Sequence, residues 1–127
     1  MFSVLPQTVR EADVSATEKY GIPALGLMKA AAKESLEYIY PHINRTSRVT
    51  ILCGKGNNAG DGYGVAYELV KQWYDVCVVN VFDTVPSSDQ ARTCYNDYIF
   101  SGGTVLNTQR AFSRIAASDV IIDAVFG

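Results

Sequence analysis

Gly54-Lys55-Gly56-Asn57-Asn58-Ala59-Gly60-Asp61-Gly62 is the stretch from which the rest of this chain is read. Before it stands Val49-Thr50-Ile51-Leu52-Cys53, apolar and rich in β-formers; after it Val65, Leu69, Val70 and Trp73 recur at helical spacing. Strand, glycine-rich turn and helix in that order put backbone N–H groups around a phosphate or another polar group. Gly54 to Ala59 fits the loose G-x-G-x-x-A form of a dinucleotide fingerprint, a pattern of low specificity alone. No Gly-Lys-Ser/Thr closes the run, which excludes a Walker A loop. Asp61 is expected to repel a pyrophosphate lying on the turn. Asn57, Asn58 and Asp61 are instead suited to hydrogen-bond an uncharged polar ligand or to help coordinate a cation. The plain alternative is a tight turn whose glycines supply positive φ and whose Asp61 caps the helix.

Outward from that run the chain alternates. Thr8 and Glu11 have capping-box spacing, predicting a helix from about Val9 to Lys19 that ends at Gly21. Pro23 suits the first turn of a second helix reaching about Tyr40, where Pro41 stops it. A strand over Arg48–Cys53 and a helix from about Gly60 to Trp73 follow. Val76 to Phe82 is a near-continuous apolar run, as in a strand covered on both faces. Pro86-Ser87-Ser88-Asp89 opens a helix to about Phe100, broken at Gly102-Gly103. Thr104 to Leu106 reads as a short strand, Gln109 to Ala117 as a short helix, and Asp119 to Val125 as a fourth buried strand. The pattern predicts an α/β fold: a Rossmann-like, doubly wound parallel sheet in three α/β/α layers, preceded by two N-terminal helices.

In such a sheet the first strand lies centrally and the fourth pairs with its other edge. The loops after strands one and four then diverge around a crevice, and Asp123, at the end of the fourth strand, faces the Asn57-Asn58 turn. A carboxylate inside Val120-Ile121-Ile122-Asp123-Ala124-Val125 is costly to bury unless paired, coordinated or at a wet end. The bland account is a strand-terminal Asp accepting N–H bonds from the next loop. His42, the single histidine, follows a helix-ending proline and is read as a surface or capping residue. Tyr63, Tyr67 and Tyr74 are read as packing residues.

Composition narrows the partners. The 127 residues make one domain, with 48% hydrophobic and 19% charged residues. A net charge of −2 leaves no electrostatic footprint for nucleic acid or an anionic membrane. No apolar stretch is long enough to span a bilayer, and Met1 to Arg10 lacks the features of a signal peptide. Cys53, Cys77 and Cys94 fit no C-x-x-C spacing, so buried free thiols in a reducing, cytoplasmic setting are expected.

Gly54 to Gly62 continued by Tyr63-Gly64-Val65-Ala66 resembles the signature of the YjeF N-terminal domain family, the NAD(P)H-hydrate epimerases. Tyr20-Gly21-Ile22-Pro23-Ala24-Leu25-Gly26-Leu27-Met28 resembles that family's entry into its second helix. Val120 to Gly127 resembles its fourth-strand motif. The three motifs keep the family's order and spacing across the whole chain.

The resemblance implies an isomerase of cofactor repair, interconverting the R and S forms of hydrated NADH or NADPH for a companion ADP- or ATP-dependent dehydratase, fused or separate. It implies that Asn57, Asn58, Ala59, Gly60 and Asp61 contact the hydrated nucleotide, and that Gly127 opens the next substrate-binding loop. It implies a potassium ion held by Asn58 and Asp123, whose hard oxygens suit an alkali cation. Asp123 is the expected acid and Asp61 its substitute. A homo-oligomer is also expected. Two departures stand out: Ala59 replaces a common glycine, and Lys29-Ala30 replaces the usual Glu-Asn. Since further strands and a crossover helix should follow Gly127, residues 1–127 are expected to be an incomplete epimerase domain. Two other functions stay open: a conventional NAD-binding oxidoreductase domain using Asp83 for ribose, and a non-catalytic nucleotide-binding or interaction module.

Overall fold

In a computed structural model, residues 24–125 are described; the helix expected over Val9–Lys19, and Gly127, lie outside them. Helix α1 (Ala24–Ile39) opens the described chain, and a 3-10 turn (Tyr40–His42) follows, where Pro41 lacks the N–H that would continue the α-helix. Then come β1 (Arg48–Cys53), α2 (Asn57–Lys71), β2 (Asp75–Asn80), α3 (Asp89–Phe100), β3 (Val105–Leu106), α4 (Ala111–Ala116) and β4 (Val120–Ala124). All neighbouring strands pair in parallel, in the order β3-β2-β1-β4. The first strand is thus central and the fourth lies on its other edge, as the alternation of elements predicts.

Side-chain alternation along the strands separates two faces. Val49, Ile51 and Cys53 of β1, with Val120, Ile122 and Ala124 of β4, enter one core with Val65, Ala66 and Leu69 of α2. Thr50 points the other way, where Arg114 of α4 reaches it. Helices α2 and α3 therefore share one face, α4 crosses the other, and α1 packs outside α2 and α3. Helix α1 docks through Leu27, Met28, Ala31, Ala32, Leu36 and Ile39, a stripe at helical spacing.

The glycine-rich run departs from its expected form. Helix α2 begins at Asn57 instead of near Gly60, with Gly56 in the extended N-cap position and no side-chain cap. Asp61 is therefore not the cap; it sits in the second turn. Among the described residues only Gly102 is a glycine with positive φ, at 88°. Gly54, Gly60 and Gly62 of the run, and Gly64 just after it, serve close approach instead. A Cβ on Gly62 would lie 2.7 Å from both the Ala124 Cβ and the Cys53 Sγ, and one on Gly64 2.7 Å from the Ala32 Cβ. At Gly60 it would collide with Met28. Three missing side chains let α2 settle simultaneously on the sheet and on α1.

Two large apolar residues also depart from the pattern. Trp73 continues the apolar periodicity of α2 yet is 90% exposed. It falls two residues past the helix with φ 65°, while Trp73 N and Tyr74 N bond back to Val70 O and Leu69 O. That left-handed helix-ending turn swings the indole outward. Phe82 is exposed because β2 stops at Asn80. By contrast Tyr63 is fully buried against Tyr95 and Tyr98, with ring centroids 5.1 and 6.1 Å away. Tyr67 and Tyr74 are half-buried and lie under Lys71 and Arg45. All three cysteines are buried and free.

Candidate functional site

The carboxyl ends of β1, β2 and β4 meet at one edge of the sheet, and three loops are joined there by backbone. Gly54 N donates to Ala124 O at 3.3 Å, and a Cβ on Gly54 would stand 2.8 Å from the Val125 carbonyl oxygen. The turn after β1 therefore rests directly on the end of β4. On its other side, Val81 N donates to Cys53 O at 3.0 Å, and both Ser87 N and Ser87 Oγ donate to Lys55 O at 2.8 and 3.0 Å. Gln90 Nε2 donates to Asn57 Oδ1 at 3.3 Å. The loop between β2 and α3 thus holds the turn in place.

Asn80 shapes that second loop. It is buried, its Nδ2 donates to Thr84 O at 2.6 Å, and its Oδ1 accepts from Phe82 N at 3.3 Å. Sequence reasoning missed Asn80, Ser87 and Gln90 as positioning residues. One signal was present, a lone Asn inside the apolar run Val76 to Phe82; for Ser87 and Gln90 there was none. Asp83 had been the ribose-binding candidate, which requires a carboxylate ending β2. Asn80 occupies that place, and Asp83 lies three residues on, exposed, with φ 55°.

The candidate residues divide by depth. Asn57 is exposed at the first position of α2, while Asn58 next to it is 8% exposed. Ala59 belongs to the hydrophobic core, and Gly60 packs against Met28 and Ala91. Any contact these two make with a ligand must come from backbone. Asp61 is buried beneath the turn, close enough to Cys53 that its charge, after burial itself, helps to push that thiol's pKa far up. Lys55 is the exposed charged residue of the turn.

Asp123 is the next-to-last residue of β4, opposite Leu52 of β1. The residues before and after it, Ile122 and Ala124, enter the α2-side core, so its half-buried carboxylate projects on the other face at the sheet's edge. Its Oδ1 accepts from Val125 N at 2.9 Å, the bond that the bland account of a strand-terminal Asp requires. That bond fixes one carboxylate oxygen beside the Gly54 turn. His42 is exposed on the 3-10 turn, in keeping with a surface role. Among the described residues, no group of three or more His, Cys, Asp or Glu is placed to hold a metal. No helix among them is long and apolar enough to cross a membrane.

Comparisons with known proteins bear on family and fold. The sequence model of the family described as YjeF-related protein N-terminus matches residues 24–127. The chain is 32% identical to a bifunctional NAD(P)H-hydrate repair enzyme Nnr of Moorella thermoacetica, over 100% of this chain and 26% of that protein. It is 29% identical to an NAD(P)H-hydrate epimerase of Rhodopirellula baltica, over 95% of this chain and 50% of that protein. A crystal structure of yeast ynu0 superposes with a TM-score of 0.67 at 18% identity, covering all of this chain and 57% of that one. That likeness concerns the fold. The chain spans between a quarter and about half of the length of these relatives.

Proposed function

Since this chain belongs to the YjeF-related N-terminal family, we propose that it carries the NAD(P)H-hydrate epimerase activity for which its relatives are named. The observation that carries this reading is the Gly54–Gly62 run lying against the end of β4, which brings Asp123 to the edge where the turn opens. The substrate is hydrated NADH or NADPH, and the partner is a dehydratase, fused or separate. The same reading extends to a homo-oligomer in the cytoplasm.

The residues read for the cation offer oxygen donors, the Asp123 carboxylate and the Asn58 amide. That set fits potassium, which would be held by Asn58 and Asp123 and would supply positive charge beside the bound nucleotide. Every step below belongs to the protein's own groups.

The hydrated ring carries a hydroxyl on a carbon bonded to the ring nitrogen. Asp123, positioned by the bond that its Oδ1 accepts from Val125 N, is the residue that would pass a proton to that hydroxyl. The C–O bond breaks as the nitrogen lone pair forms a C=N bond, and water leaves. Water then adds to the other face of the planar ring and returns a proton to Asp123, so the centre is inverted with no net redox change. Asp123, half-buried at the edge, is more accessible to a substrate than Asp61, which is buried. Asn57, tethered by Gln90, is placed to orient the ring.

The competing conventional dinucleotide site lacks its ribose carboxylate, because Asn80 ends β2. The test mixes the full chain with pure R-form hydrate and follows appearance of the S form above the spontaneous rate. Acceleration supports the epimerase; a rate equal to the blank overturns it.

A further inference from the structure

The departing hydroxyl concerns only the nicotinamide half of the substrate, near Asp123. On the β2 side of the same edge stands a second group of side chains that the reaction does not use. Lys55 Nζ lies over the Phe82 ring, 5.2 Å from its centroid. Phe82 and Val85 are 44% and 50% exposed, side by side on the loop after β2. Both stand where the loop after β2 meets the turn after β1. Their backbone is held in place: the Lys55 carbonyl takes two bonds from Ser87, and Asn80 closes the loop that carries Phe82.

Parallel folds that bind dinucleotides lay the adenosine half over the end of the second strand and the nicotinamide half toward the fourth. Here the loop after β2 offers an aromatic face, and the turn after β1 sets an ammonium group over it. We infer that the loop after β2 is the adenosine-side anchor of the hydrated dinucleotide, with Lys55 taking its phosphates and Phe82 its adenine ring.

This inference rests on the epimerase reading for its substrate. A phosphate is a stronger partner for an ammonium than a benzene ring, so ligand binding would draw Lys55 from Phe82 and free the ring for stacking. Lys55 does not touch the reacting atoms, so its loss acts on binding.

The test measures KM and kcat for hydrated NADPH in the full chain carrying Lys55→Gln, Lys55→Arg or Phe82→Ala. It repeats them with hydrated nicotinamide mononucleotide, which lacks the adenosine half. Lys55→Gln and Phe82→Ala should each raise KM for the dinucleotide about tenfold with kcat little changed, and Lys55→Arg should restore most of it. With the mononucleotide, which keeps one phosphate but no adenine, Phe82→Ala and the wild type should coincide, and Lys55→Gln should lose less than with the dinucleotide. KM for the dinucleotide should also rise with salt in the wild type and less so in Lys55→Gln. Unchanged KM in an active Lys55→Gln protein, or an equal loss with both substrates, overturns the inference. Should the wild type show no epimerisation, equilibrium binding of ADP-ribose decides separately. Weaker binding by about tenfold in Lys55→Gln supports the anchor, and equal binding sinks it.

Discussion

The two ends of the sheet are built differently. At the amino ends of the strands, charged and hydroxyl side chains do the joining. Arg114 donates to Thr50 Oγ1, Val49 O and Asp75 Oδ1 at 3.0, 2.9 and 2.8 Å. Ser118 closes on Thr50 at 2.5 Å, and Asp119 accepts from Arg48 N at 2.8 Å. At the carboxyl ends the joining is done mostly by backbone groups and by missing Cβ atoms: Gly54 on Val125, Gly62 on Ala124, Ser87 on the Lys55 carbonyl. An end held by its side chains has already committed them to structure. An end held by backbone can present Lys55, Asn57 and Asp123 to a ligand.

The largest expected effect separates the two ends directly. Asp123→Asn should lower epimerisation by about 10²–10⁴-fold, the usual worth of a positioned acid. Its stability should change little, because the Asn oxygen can still accept from Val125 N–H. Arg114→Ala should do the reverse. Losing several hydrogen bonds and orphaning buried partners costs about 2–3 kcal/mol in urea unfolding, while kcat stays near wild type. Wild-type turnover in Asp123→Asn would remove its acid role, and a catalytic collapse in a folded Arg114→Ala would erase the contrast.

A single methyl probes the backbone-built end. Gly62→Ala should destabilise by about 2 kcal/mol through overpacking, outweighing the ~1 kcal/mol helix gain from replacing glycine. Gly26→Ala, also helical but with no atom of the described residues within 4 Å of its new Cβ, should keep that gain and stabilise the protein. Equal shifts in the two melting temperatures would contradict the close-approach account of the run.

Between the ends, Cys94 of α3 gives a pH signature. Burial, the leading cause, raises its thiol from an ordinary 9.0 to about 11. The folded state therefore holds this proton more tightly than the unfolded chain. Its contribution is complete below pH 9.0 and is lost as pH rises through about 11. That loss is worth on the order of 2 kcal/mol, and Cys94→Ala should show a flatter alkaline stability profile. An unchanged slope would assign alkaline unfolding elsewhere.

The smallest effect concerns the Tyr63 hydroxyl, which is buried with no hydrogen-bond partner among the described residues. Tyr63→Phe should be neutral or stabilising by up to about 1 kcal/mol, since it removes an unsatisfied polar group from a ring that stays packed. A loss above that size in thermal melts would show that the hydroxyl has a partner.

Much of this was legible in the chain itself. Apolar runs at Val49–Cys53, Val76–Asn80 and Val120–Ala124 are too short and too β-branched for helices, and their alternation with helical spacing determines a parallel sheet with β1 in the centre. The same pattern places Asn57, Asn58 and Asp123 at one edge, because a parallel sheet brings all its carboxyl ends together. What periodicity cannot show is why a residue is small or where a polar side chain turns. Glycines read as turn-formers became helix-packing positions, since only the approach of Met28, Ala32 and Ala124 decides that a Cβ has no room. Asp61 went under the turn instead of capping it, Trp73 swung outward on a left-handed residue, and Arg114 crossed to Thr50, 64 positions away in the chain. Local pattern sets which elements form and in what order; contacts between residues distant in sequence set which face each side chain finally shows.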